Sequence, residues 1–275
     1  MRKFIVLCKF LKRLVRSSID NLFYSVVHLA PLQPFLGGKG LNYKVRHENL
    51  DMIFVSPNAI TRYRSESFST KEPETLIWLD SLKPGSVLWD IGANVGLYSI
   101  YAAKKIDAKV YAFEPSVFNL ELLARNIFIN DLQHKIIIVP IALNDETGAN
   151  LFKMSNTSWG GALSTFASDF DQNGNTLKSI FEYSTLSISM DEAVSSLGLL
   201  APNYIKMDVD GIEHLILRGG YDVLKSVDSV LIEINDDFTE QAEEAARHLQ
   251  AAGLVLSRKC DAHGSQSNRL YVRNI

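Results

Sequence analysis

Apolar residues fall into short runs of strand length, separated by stretches with helical spacing. Val87-Leu88-Trp89-Asp90-Ile91, Lys109-Val110-Tyr111-Ala112-Phe113, Ile136-Ile137-Ile138-Val139, Tyr204-Ile205-Lys206-Met207 and Val230-Leu231-Ile232-Glu233-Ile234-Asn235 each read as a buried strand. From Ser116, a capping residue, to about Asn130, apolar Leu120, Leu123, Ala124, Ile127 and Phe128 line one face of a helix. Glu72-Pro73-Glu74 opens another helix that runs to about Leu82, with Pro73 in the first turn, where a missing N–H costs little. Asp237 to Ala252 is a further helix, stopped by Gly253. Leu254–Ser257 and Arg269–Val272 are the last two strands, with a polar connection from Asp261 to Asn268.

Strands alternating with helices predict a mainly parallel, seven-stranded α/β sheet with helices on both faces. Two regions depart from that rhythm. Asp51–Val55 and Ala59–Tyr63 flank Ser56-Pro57-Asn58 and read as a short hairpin. From Gly148 to about Ser189 the alternation breaks, with strands at Asn150–Met154 and Thr185–Ser189 and a polar stretch between them. Loops at the carboxyl edge carry specificity, so this insertion is expected to face substrate. Trp159, beside Gly160-Gly161, either stacks on a sugar ring there or belongs to the core.

Residues 1–40 form a separate segment, with the main domain at 41–275. Arg2, Lys3, Lys9, Lys12, Arg13 and Arg16 alternate with Phe4, Ile5, Val6, Leu7, Phe10, Leu11, Leu14 and Val15. The charges interrupt any run that would span a bilayer, and no signal-peptide core is evident. A basic amphipathic helix fits, packed on the domain or on a second subunit of a homo-oligomer, or lying on an anionic membrane surface. Pro31, Pro34, Gly37, Gly38 and Gly40 then break the helix.

At 275 residues the chain holds one sizeable α/β domain plus an extension. A net charge of −3 removes any global basic field, and with it the argument for a nucleic-acid partner. Cys8 and Cys260 are far apart and have no metal-type spacing, so a reducing, cytoplasmic setting is expected, with the inner membrane face as the peripheral alternative.

The candidate chemistry begins at Asp90-Ile91-Gly92-Ala93-Asn94-Val95-Gly96, where a strand ends in a carboxylate and a glycine-bounded turn opens a helix. Gly92 permits a tight turn and close approach to a ligand, and Gly96 sits where the new helix packs on the strand. The G-x-x-x-G spacing is not the dinucleotide fingerprint. A carboxylate at Asp90 attracts an ammonium and repels a pyrophosphate, which favours S-adenosylmethionine over NAD. Glu114, about 20 residues beyond the glycine loop, is placed to hold a ribose hydroxyl pair. Asn119 lies nearby in the first turn of the following helix. Tyr204 to Gly211 is a strand and its exit, with Asp208 and Asp210 at its end and Glu213 and His214 opening the next helix.

These pieces, in this order, resemble the FkbM-type S-adenosylmethionine-dependent methyltransferases. The resemblance runs from about Glu72 to Asn235 through DIGANVGLYSI, FEPSVFNLELLARNIFIN, VPIALNDETG, IKMDVDGIEHLILRGG and VLIEIN. It implies a class I methyltransferase fold that ends in a reversed hairpin, and O-methylation, often of sugar or polyketide hydroxyls. The acceptor is then a small molecule or a glycan. The implied cofactor residues are Asp90, Gly92, Ala93, Asn94 and Gly96 at the methionine end, Glu114, Pro115 and Asn119 at the ribose, and Ala142 and Leu143 at the adenine. Family members usually carry Glu where Asp210 stands. Asp208 or Asp210 is a candidate general base, with His214 ranked behind them. Alternatively they bind a divalent metal with Glu233 or Asn235, for which oxygen ligands point to Mg²⁺ or Ca²⁺, or they orient substrate. Two carboxylates and a neutral Asn make a thin metal site, so no metal ligand is assigned. Lys206 is expected on the face opposite the neighbours of Asp208, screening the acids or pairing with substrate. Glu213, Glu233 and Trp159 are the substrate candidates, and Glu72 and Glu74 stand near the cofactor mouth. The rivals are an NAD-dependent nucleotide-sugar enzyme and a non-catalytic scaffold.

Overall fold

The computed structural model describes residues 41–259 and 266–274. The amphipathic segment 1–40, both cysteines and part of the last connection lie outside the described residues. Thirteen strands and eight helices follow one another among the described residues. A hairpin of β1 (Asn42–His47) and β2 (Leu50–Val55) leads into α1 (Ala59–Glu66) and α2 (Pro73–Ser81). Then come β3 (Val87–Ile91), α3 (Leu97–Lys105), β4 (Lys109–Phe113), α4 (Val117–Ile129) and β5 (Ile136–Val139). The insertion supplies β6 (Ala142–Leu143), β7 (Gly148–Met154), β8 (Ser164–Phe166) and β9 (Phe181–Ile188). The chain closes with α5 (Met190–Ser195), β10 (Tyr204–Met207), α6 (Glu213–Arg218), α7 (Tyr221–Leu224), β11 (Ser229–Asn235), α8 (Thr239–Ala251), β12 (Leu254–Lys259) and β13 (Gln266–Arg273).

The seven-stranded sheet has the order β12-β13-β11-β10-β3-β4-β5. Only β13 runs against the rest. That order, with its reversed last hairpin, is the class I methyltransferase arrangement. The chain leaves β3 toward β4 and later returns to β10 on the other side, so the topological switch lies between β3 and β10. A crevice at the carboxyl ends of these strands is where such sheets bind ligands.

Each face of the sheet carries its own apolar core. Leu88, Val110 and Ile136 pack with Ile100, Leu123 and Leu79 on one face. Trp89, Tyr111 and Ile205 pack with Ile216, Leu249 and Phe152 on the other. Burial on both faces explains why these strands read as continuous apolar runs. Phe152 belongs to a second sheet, of order β6-β9-β7-β8, which the insertion builds.

Three expectations are corrected. The hairpin partner of Asp51–Val55 is β1; residues 59–63 are helical. Thr61 N donates to Asn58 Oδ1 at 2.9 Å and Asn58 N donates to Thr61 Oγ1 at 3.3 Å, a capping box that starts α1 where a strand was expected. Ser116 stands at the N-cap of α4 but makes no side-chain cap; the Glu114 carboxylate accepts from Ser116 N at 2.8 Å. Ala124 and Phe128 are exposed, and Phe128 is 80% accessible. The buried face of α4 instead carries Asn119, Asn126, Leu122, Leu123 and Ile127. The asparagines replace apolar surface because they hold edges. Asn126 accepts from Val55 N at 2.7 Å and donates to Val95 O at 2.8 Å; Asn130 accepts from Ile53 N at 3.1 Å and donates to Ile53 O at 2.7 Å. The edge of β2 is thus satisfied by side chains, which docks the hairpin.

Candidate active site

The loop after β3 is built almost wholly from internal hydrogen bonds. Gly92 N and Ala93 N both donate to Phe113 O at 3.0 Å, and Gly96 N donates to Ala93 O at 2.8 Å. Asn94 N donates to Glu114 Oε2 at 2.8 Å, and Val95 N to Asn94 Oδ1 at 3.0 Å. All five N–H groups are spoken for, so the loop has none to offer a pyrophosphate, whose cradle depends on free backbone donors. Gly92 has φ +81°, and a Cβ there would lie 1.9 Å from Asp208 O. The glycine lets β10 close against the loop. Gly96 packs beside Leu123 of α4, not on the strand, with 2.5 Å between its would-be Cβ and Leu123 Cδ1.

Two lobes of a cleft, about 600 and 970 Å³, open at the carboxyl ends of β3, β4 and β10. Gly92, Asn94, Ala162, Asp208 and Asp210 line both, so the lobes meet there. Asn94 and Asp210 have left-handed backbones at this junction, with φ +51° and +63°. Asp tolerates that region better than the longer Glu that the resemblance leads one to expect.

The first lobe is apolar. Phe113, Pro115, Ile141, Ala142, Leu143, Phe152 and Phe166 form its walls, with Glu114, Ser116 and Asn119 at one end. Both Glu114 oxygens accept backbone N–H bonds, and burial still pushes its pKa up to about 7. Ser116 Oγ is buried without a partner in this lobe. A buried hydroxyl left unpaired beside a fixed carboxylate suits a ligand diol.

The second lobe is polar, lined by Arg64, Lys71, Glu72, Ala93, Tyr98, Gln172, Lys206 and Glu233 besides the shared residues. Lys206, 4% accessible, lies 3.5 Å from Asp208 Oδ2 and 3.9 Å from Asp90 Oδ1. Burial disfavours its charge, but Asp208, Asp90 and the neighbouring Glu72 and Glu233 outweigh that and hold its ammonium above the ordinary lysine range. Residues two apart share a strand face, so Lys206 and Asp208 lie together, and cross-strand register pairs Lys206 with Asp90. Lys206 therefore faces away from the immediate neighbours of Asp208 and toward Asp208 itself, as strand alternation leads one to expect. The screening role is the one observed.

Asp90 stands apart from the cleft lining. Its carboxylate is 1% accessible, accepts from Ser99 Oγ, and lines neither lobe. The ammonium it meets belongs to Lys206. Burial raises its pKa despite that partner.

Asp208 and Glu233 share a hydrogen bond. Repulsion from Asp208, with burial, drives Glu233 up to about 9, so Glu233 carries the proton and donates it. Asp208 is partly buried, its side chain 30% accessible, but Lys206 and Lys71 hold it below the usual carboxylate range. Asp210 differs: burial and the Asp208 charge push it up to about 6. Its Oδ2 accepts from Leu163 N at 2.7 Å. Of the two aspartates, Asp210 is the better matched proton acceptor.

The segment Trp159–Leu163 straps across the junction. Asn94 Nδ2 and Asn119 Nδ2 donate to Gly161 O at 2.8 and 3.1 Å. Gly160 N donates to Asn119 Oδ1 at 3.0 Å, Arg64 Nε to Gly160 O at 2.8 Å, and Asn58 Nδ2 to Trp159 O at 2.9 Å. Trp159 itself is half-buried and lines neither lobe.

Glu213 and His214 lie outside the cleft lining. Glu213 accepts from Val209 N at 3.0 Å and Gly211 N at 3.1 Å, so it fixes the turn that carries Asp208 and Asp210. His214 packs edge-on against Phe238, and burial lowers its pKa. Asn235 donates to Gln172 O at 2.9 Å, holding the polar stretch of the insertion over the second lobe. Glu74 accepts from Asn268 Nδ2 at 2.8 Å, whereas Glu72 accepts from Tyr98 Oη at 2.9 Å inside the lobe. Among the described residues no three His, Cys, Asp or Glu side chains are grouped as metal ligands. No helix there is long and apolar enough to cross a membrane.

The model of the methyltransferase FkbM domain matches residues 90–261, more than half of the chain. The chain belongs to the FkbM methyltransferase domain family. Hexuronic acid methyltransferase AglP of Haloferax volcanii is 29% identical over 157 residues, 57% of this chain and 59% of that protein. The chain thus spans about three fifths of the length of this relative. Methyltransferase sdnD of Sordaria araneosa is 37% identical over 60 residues, 22% of this chain and 23% of that one. Among solved structures, precorrin-6y C5,15-methyltransferase from Geobacter metallireducens gives a TM-score of 0.47 at 12% identity, over 74% of this chain and 90% of that one. The FkbM domain of this chain contains Gly92–Gly96, Glu114, Asp208, Asp210 and Glu233; Arg64, Lys71 and Glu72 lie before it.

Proposed function

We propose that this FkbM-domain protein transfers a methyl group from S-adenosylmethionine to a hydroxyl oxygen of a sugar or glycan. One observation carries the reading: an apolar lobe ended by Glu114 opens, at Asp208 and Asp210, into a polar chamber. The apolar walls fit a purine, and Glu114 with the unpaired Ser116 hydroxyl fits its ribose. The methionine ammonium is assigned to Glu72 and Asp208, which reach the second lobe as Asp90 does not. The name of AglP, a hexuronic acid methyltransferase, supports a sugar acceptor.

Bound there, the donor supplies an electrophilic sulfonium methyl. The residues of the chain align the acceptor oxygen with that carbon, which removes much of the entropic barrier. As the oxygen–carbon bond forms and the carbon–sulfur bond breaks, the hydroxyl proton passes to Asp210. An alcohol is a very weak acid, so this help comes late, as the oxygen loses electron density. Lys206 keeps Asp208 ionised, and Glu213 keeps both aspartates in place.

Calorimetry with S-adenosylhomocysteine and with NAD separates the readings. Micromolar binding of the first alone is expected. Binding of NAD alone would favour the oxidoreductase, and no binding of either would favour the scaffold. Labelled donor with a panel of sugar acceptors then identifies the accepting class.

A further inference from the structure

The charged groups of the second lobe are nearly all paired. Lys71 Nζ lies 2.6 Å from Glu72 Oε1, Lys206 lies between Asp208 and Asp90, and Glu233 hydrogen-bonds Asp208. Arg64 is the exception. Its Nε donates to Gly160 O at 2.8 Å, and among the described residues neither terminal nitrogen has a hydrogen-bond or ion-pair partner. Its stem lies against Gly160, with 3.6 Å between Arg64 Cδ and the position of a Cβ there. The guanidinium is therefore held at one nitrogen, its charge acts on Asp208 and Asp210 in the same lobe, and its two terminal nitrogens keep their hydrogen-bonding capacity for a ligand.

A guanidinium edge presents two parallel N–H donors, which match the two oxygens of a carboxylate. Fixing the stem beforehand reduces the rotamer entropy lost on binding. We propose that Arg64 is the carboxylate-recognition residue of the second lobe. This rests on the methyl-transfer reading, in which two molecules share the lobe. The carboxylate belongs either to the methionine end of the donor or to an acid group on the sugar acceptor. Both present the same planar anion.

Arg64→Met keeps the stem and removes the fork, and Arg64→Lys keeps only the charge. Calorimetry compares S-adenosylhomocysteine with 5′-methylthioadenosine, which lacks the amino-acid end. It also compares methyl glucuronide with methyl glucoside on the homocysteine complex. If the donor supplies the carboxylate, Arg64→Met weakens S-adenosylhomocysteine about tenfold or more and leaves methylthioadenosine unchanged. If the acceptor supplies it, both nucleosides bind as before and preference for the glucuronide over the glucoside is lost. Arg64→Lys recovers part of either loss. Equal weakening of both nucleosides would overturn the proposal, because Arg64 would then act only through Gly160. Unchanged S-adenosylhomocysteine affinity, with no preference for the acid sugar in the unmodified protein, would overturn it as well. Failure of the unmodified protein to bind S-adenosylhomocysteine would remove the methyl-transfer reading and this proposal with it.

Discussion

The ammonium of Lys206 lies 3.5 Å from the carboxylate of Asp208, with almost no access to water. The same ammonium is the only cation within 4.0 Å of Asp90 among the described residues. Removing it in Lys206→Met leaves the buried Asp90 carboxylate without a counter-charge and leaves Asp208 with only the more distant Lys71 and Arg64. Loss of one partner of a buried ion pair costs about 3–5 kcal/mol. Denaturant unfolding is expected to show a loss of that size, and a loss under about 1 kcal/mol would mean water reaches these acids.

Asp210 sets the expected pH dependence of transfer. Its pKa is pushed up to about 6, and only the ionised form accepts a proton. The kcat/KM for methyl transfer should therefore fall as pH drops through about 6 and level off above it. Asp210→Asn should lose most of the rate together with that acidic limb. A limb that survives in Asp210→Asn would move the base elsewhere.

The β3–β4–β5 and β10–β11 core was legible because parallel strands buried on both faces leave continuous apolar runs. The strands of the last hairpin are legible from their apolar pattern, their reversal only from the family resemblance, and Glu114 at its strand end from its distance to the glycine loop. The pairing of Asp90 with Lys206 is not legible, because the lysine comes from a strand more than a hundred residues later and no local pattern reports cross-strand register. Arg64 follows Ala59–Tyr63, which reads as a strand but is helical; the Asn58–Thr61 capping pair is the signal for that helix in the sequence. Lys206 and Asp208, two apart on one strand, carried a signal of their own, since period two places them on one face. Tyr98 and Lys71 reach the lobe only through tertiary packing.

Gly92 gives a test with an internal control. An alanine there must adopt φ +81° and bring its Cβ to 1.9 Å from the Asp208 carbonyl oxygen, which only movement of the β10 exit relieves. Gly85 also has a positive φ, +73°, but open space around it. Gly85→Ala should cost only the backbone preference, about 1–2 kcal/mol, and leave donor binding intact. Gly92→Ala should cost more in a thermal melt and weaken S-adenosylhomocysteine binding, because Gly92 and Asp208 line both lobes. Equal effects from the two substitutions would show that the contact yields freely.

Glu213 couples stability to pH in a direction that can be worked out. Burial pushes its carboxyl from 4.5 to about 7. The folded state therefore holds the proton more tightly than the unfolded chain does. Its contribution is complete below about pH 4.5 and is lost as pH rises through about 7, an effect of at most about 3 kcal/mol. Glu213→Gln cannot ionise, but its amide cannot replace both acceptances from Val209 N and Gly211 N, so it is less stable than the native protein at pH 5. The gap between the two should narrow as the pH is raised to 8, because only the native carboxyl becomes harder to keep buried. Urea titrations of both proteins at pH 5 and 8 measure it. A gap that widens with pH would mean the carboxylate is ionised in the folded state, held by the same two backbone donors that fix the aspartate turn.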